Sequence, residues 1–127
     1  MNGLAADVHR FLHDHIDSVE HLEVLLLVAK TPERGWSAPE VAETLYSSPS
    51  SIRLRLARLL GQGLLREIEE GCYKYAPRTT ELHETVQRVS DCYHERRVAV
   101  ITLIASKPLD NVRAFSDAFR IRRNKEE

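Results

Sequence analysis

The chain has almost no charge imbalance to bind anything with. Its 127 residues carry 18 Lys and Arg against 19 Asp and Glu, a formal net charge of -1. That excludes a basic polymer that coats nucleic acid indiscriminately, so contact with a polyanion has to come from a local basic face. Cysteine is scarce: Cys72 and Cys92 stand in no metal or redox spacing, which argues against an extracellular disulfide framework. Long hydrophobic runs are missing. The most apolar stretch, residues 22–29, contains Glu23 and is far shorter than the roughly 20 residues a membrane span needs. The start, MNGLAADVHRFL, has neither a basic n-region nor a long apolar h-region, so no secretory signal and no membrane partner are expected, and the expected location is the cytoplasm. There is no glycine-rich phosphate loop, and no nucleophile elbow surrounds Ser47, Ser48, Ser50 or Ser51. The paired Glu69 and Glu70 fall on a turn, so neither an enzyme nor a cofactor is expected.

What is present is ordinary for a folded domain: 43% hydrophobic and 29% charged residues. Leu4, Val8, Phe11, Leu12 and Ile16 recur at helical spacing. Asp17-x-x-Glu20 reads as a capping box opening a helix over about 18–30. Leu22, Leu25, Leu26 and Ala29 line one face of that helix, and Val24, Leu27 and Val28 make it apolar on most sides, the mark of a central helix. Thr31–Gly35 is a polar loop. Ser37-x-x-Glu40 is a second capping box and opens a short helix. After a four-residue turn, Ser48 and Pro49 open another helix, which Gly61 and Gly63 end. Two strands, over about 64–69 and 72–76, flank a Glu70-Gly71 turn. The prediction is a mainly α protein with a small β-hairpin.

Helix, turn, helix, then hairpin is the order of a winged helix-turn-helix, an architecture that usually serves nucleic-acid recognition. Residues 48–65, SPSSIRLRLARLLGQGLL, resemble the recognition helix and its exit in bacterial MarR-like winged-helix regulators: small polar residues, a β-branched residue, leucine at core spacing, then Gly-Leu-aliphatic. Ile52, Leu56, Leu59 and the Gly63-Leu64-Leu65 exit match. The likeness covers about 40 residues well and the flanking helices only in arrangement. It implies a homodimeric regulator that binds double-stranded DNA, with the winged helix-turn-helix at 18–78, an N-terminal helix at 1–17, and a C-terminal helical dimerisation arm at 79–127. Trp36 falls where such domains often place a one- or two-residue strand beside the wing. As a residue, it reads as a core anchor.

At 100° per residue, Ile52, Leu56, Leu59 and Leu60 share the core face of the 48–62 helix. Ser50, Ser51, Leu54, Ala57 and Arg58 lie opposite, with Arg53 and Arg55 on the flanks. Arg53, Arg55, Arg58 and Arg66 occur without one acidic residue between 48 and 66. Guanidinium forks fit phosphates and guanine edges, and Ser50 and Ser51 near a helix start can donate to phosphate. The candidate DNA contacts are therefore Ser50, Ser51, Arg53, Leu54, Arg55 and Arg58, with Lys74 from the returning strand. Two features favour a second reading, a winged-helix protein-interaction module without DNA. Leu54 suits a thymine methyl but also a protein partner, and the hairpin carries Glu67, Glu69 and Glu70.

Thr79 or Thr80 caps a helix expected to run unbroken over 81–106, about 38 Å long. Leu82, Val86, Val89, Tyr93, Arg96, Val100 and Leu103 form a heptad seam interrupted by Arg96. Beyond Arg97, VAVITLIA is apolar on nearly every side. A last helix over about 109–122 carries Leu109, Val112, Phe115 and Phe119. The expected dimerisation residues are Leu82, Val86, Val89, Tyr93, Val100, Ile101, Leu103, Ile104, Phe115 and Phe119, the alternative being that helices of the same chain cover the seam. Of the six histidines (His9, His13, His15, His21, His83, His94), His9 and His13 stand one turn apart. None has a recognised ligand spacing, so all are read as surface or half-buried side chains and no metal is expected.

Overall fold

The computed structural model describes residues 4–106. The order is α1 (Ala6–His15), α2 (Val19–Lys30), β1 (Trp36–Ser37), α3 (Ala38–Leu45), α4 (Pro49–Gly61), β2 (Leu65–Glu69), β3 (Cys72–Tyr75), α5 (Thr80–Glu95) and α6 (Arg97–Ala105). The protein is thus mainly helical with a small antiparallel sheet of order β1-β3-β2.

Local chemistry accounts for most boundaries. The Ser37 hydroxyl accepts from the Glu40 amide while the Glu40 carboxylate accepts from the Ser37 amide, a complete capping box. Ser48 accepts from the Ser51 amide, with Pro49 as the first helical residue. Thr79 caps α5 through the Leu82 amide. The start of α2 differs from the sequence expectation. Ser18, not Asp17, is the cap and accepts from the His21 amide; this leaves both Asp17 and Glu20 free to reach other elements. Gly63 ends the α4 exit at φ 77°, and the Arg78 amide donates to its carbonyl at 2.8 Å, closing the base of the hairpin.

The hairpin falls within a residue of its expected limits, with a register shift between Glu67 and Glu69. Trp36 fulfils both expectations: it pairs with Tyr73 and is 3% exposed, its indole N–H bonded to the Thr31 hydroxyl.

One core runs through every helix. Phe11 and Leu12 of α1, Leu22, Leu25 and Val28 of α2, Val41 of α3, and Ile52, Leu56 and Leu59 of α4 are buried in it together with Leu64, Leu65 and Tyr75. The helix expected over 81–106 is in fact two. Arg96, at φ -131° and ψ 52°, separates α5 from α6. A straight rod would carry α6 past this small core, whereas the break lets α6 lie against α1 and α2. Val86, Val89, Tyr93, Val100 and Ile104, all expected in a dimer seam, are buried in the core of their own chain, and Leu82, Ile101 and Leu103 pack against it half-buried. Phe115, Phe119 and the helix expected over 109–122 lie outside the described residues.

Two leucines of α4 test its orientation. Leu56 is wholly buried and Leu54 is 69% exposed. Leu56→Ala should cost about 2–5 kcal/mol in urea unfolding, and Leu54→Ala should stay within about 0.5 kcal/mol of wild type. Equal costs would mean that α4 is rotated from this description.

Candidate nucleic-acid interface

The core seam of α4 fixes what its other side presents. With Ile52, Leu56 and Leu59 turned inward, Ser50, Arg53, Leu54, Ala57 and Arg58 are exposed, while Ser51 and Arg55 are half-buried. In the turn before α4, Tyr46 adopts the left-handed conformation at φ 56° and is 97% exposed. This largest exposed aromatic next to α4 was missed from sequence. No periodicity marks it, and a non-glycine left-handed residue has no reliable sequence signature.

Acidic partners arrive from far upstream. The Glu20 carboxylate accepts from the Ser47 hydroxyl at 2.7 Å, from Arg55 Nε at 2.9 Å, and from the Ser51 hydroxyl. Asp17 lies 3.5 Å from the Arg55 guanidinium and 3.1 Å from Arg58 Nε. Burial raises the proton affinity of Glu20, but the hydrogen bonds from Ser51, Ser47 and Arg55 outweigh it and hold the carboxyl below its ordinary range. Three expected DNA contacts, Ser51, Arg55 and Arg58, are therefore engaged inside the chain. The acid-free run of arginines is a property of the segment, not of the folded surface. Ser50, Arg53, Leu54 and Ala57 remain open, and Arg53 has no acidic partner among the described residues.

The hairpin adds little positive charge. Lys74 is half-buried and lies opposite Arg66 in register. Glu67, Glu69 and Glu70 are exposed, and Glu67 accepts from the Gly71 amide at 3.1 Å.

Behind the Asp17–Arg58 pair lies His21, wholly buried where a surface or half-buried side chain was expected. Its Nδ1 lies 3.3 Å from both the amide and the carboxylate of Asp17. Among the described residues, Nε2, the buried His15 Nδ1 and Gln62 Oε1 have no hydrogen-bond partner. His9, His13 and His94 are exposed; His83 bonds the Tyr75 hydroxyl at 2.8 Å. Among the described residues no group of three His, Cys, Asp or Glu is placed to hold a metal ion. Cys72 and Cys92 are free, and burial pushes both thiols up. No described helix is long and apolar enough to cross a membrane.

A concavity of about 300 Å³ opens between α2 and α5 over Leu26, Leu27 and Leu45. Within it Tyr93 donates to Glu23 at 3.1 Å, and the Arg97 guanidinium stacks 4.8 Å from the Tyr93 ring centre.

The chain matches no protein-family model, no curated protein and no solved structure.

The His21 environment predicts an acid-sensitive fold. Burial first, then the nearby Arg58 and Arg55, push its pKa from 6.5 down to about 4, against the opposing pull of Asp17. The folded state thus prefers the neutral ring, and the unfolded chain binds the extra proton between those values. Stability should fall as pH drops through that window, by up to about 3 kcal/mol. The depressed carboxyls of Glu20 and Glu40 lose their contribution separately, below their ordinary value of 4.5. Urea unfolding between pH 7 and 4.5 should show the decline in wild type and a flatter profile in His21→Gln. Parallel profiles would remove His21 as the cause.

Proposed function

We propose that the chain is a winged helix-turn-helix regulator of MarR-like type, cytoplasmic, which reads the major groove of double-stranded DNA with α4. The observation that supports this best is the open outer face of α4. Its core side is fully used, its first nine residues project Ser50, Arg53, Leu54 and Ala57 to solvent, and α3 with its turn precedes it as a backbone-crossing helix does in this architecture. Arg53 supplies the unneutralised cation of that face.

This reader relies weakly on phosphate. Arg55 and Arg58 face Asp17 and Glu20, so few counterions are released on binding. The logarithmic salt slope should be shallow, about -2 to -4 for a dimer. Retention of genomic DNA fragments should be measurable at about 50 mM salt. Asp17→Asn, which unpairs Arg58, should steepen the slope by about one unit per protomer. Absence of retention at that salt sinks the regulator reading.

One observation favours a protein-interaction module instead. Tyr46 and Leu54 are 97% and 69% exposed beside Arg53, and Tyr and Arg are enriched at binding hot spots. This reading takes over if DNA is not retained.

Homodimerisation is part of the proposal, through α6 rather than the buried seam. Val98, Ile101, Thr102 and Ala105 fall at i, i+3, i+4 and i+7 on a helix with apolar residues on nearly every side, and Val98 is 78% exposed. Sedimentation of wild type at tens of micromolar should give a dimer. Val98→Asp should give a monomer with unchanged circular dichroism, because Val98 adds nothing to its own core. A monomeric wild type contradicts the dimer.

A further inference from the structure

We infer, building on the DNA-binding reading, that α4 selects its site mainly by the 5-methyl groups of thymine rather than by arginine forks on guanine. The side chains left open on α4 decide this. Arg55 and Arg58, which could fork onto guanine, are tied to Glu20 and Asp17. Leu54, 69% exposed, and Ala57, one turn further along, form an apolar strip on the outward face, their Cβ atoms about 5–6 Å apart by helical geometry. Neither side chain forms a hydrogen bond. Set against cytosine N4 or adenine N6, the strip would strip water from a donor and return nothing. In the major groove the apolar group is the thymine methyl, and it stands where such a strip gains by burial. Arg53, beside the strip and unpaired among the described residues, holds the helix to a neighbouring phosphate.

The test uses the full chain and a pool of random 30-base-pair duplexes. The best-retained duplex is synthesised with thymine, or with uracil at each recovered thymine in turn. Uracil removes the methyl and keeps every hydrogen-bonding group. Wild type should lose about fourfold in affinity for each contacted methyl removed, and Leu54→Ala, whose fold is untouched because the side chain is exposed, should lose that sensitivity at one position. Equal affinity for thymine and uracil duplexes, or retention without any enriched sequence, overturns methyl selection while leaving DNA binding in place. Failure to retain any duplex overturns the DNA-binding reading itself.

Discussion

The Glu20 carboxylate is the contact on which the presentation of α4 depends. It joins the first turn of α2 to three successive points: Ser47 in the turn before α4, Ser51 in its first turn and Arg55 one turn later. Those bonds fix the rotation of α4 at the end where an outward helix would meet a ligand, while Ile52, Leu56 and Leu59 fix it from within. Glu20 and Arg55 are 25% and 27% exposed, so water screens the pair less than a surface salt bridge; without Arg55, Glu20 would keep only the Ser47 and Ser51 hydroxyls, and without Glu20, Arg55 would keep only Asp17. Asp17, freed from capping because Ser18 takes that role, extends the same network to Arg58.

The network has a chemical consequence. A helix whose basic flank is neutralised from within has lost most of its attraction for phosphate, and what it presents is smaller and more apolar: a serine, one open arginine, a leucine and an alanine. With the acidic hairpin beside it, such a face would, on the proposed reading, draw discrimination from shape and methyl contact more than from charge. The same economy of charge is seen in the whole chain, whose acids and bases nearly cancel.

Features set by a few neighbouring residues were legible in the sequence. Ser37 with Glu40, Ser48 with Pro49, and Gly71 in its turn each carry their own signal, and the leucine spacing of α4 gave its buried side. Trp36 was legible as both anchor and strand. The rest depends on distance along the chain. Glu20 and Arg55 are 35 residues apart, and no local pattern pairs them; Asp17 and Glu20 have capping-box spacing, but Ser18, an equally good cap, takes the role. Neither glycine nor proline marks the break at Arg96, which turns α6 back onto α1 and α2. Val86, Val89 and Tyr93 keep the same spacing whether a partner chain or α1 covers them, so the heptad seam alone did not say which.

The most direct measurement of the central claim is a residue-resolved footprint: ¹⁵N-labelled protein titrated with duplex DNA at low salt and followed by amide and arginine Nε chemical shifts. The account predicts shifts centred on Tyr46, Ser50, Arg53, Leu54 and Ala57, with Arg55 Nε held in place by Glu20. Shifts confined to the α2–α5 concavity or to α6, or a large displacement of Arg55 Nε with no change at Leu54, would contradict it.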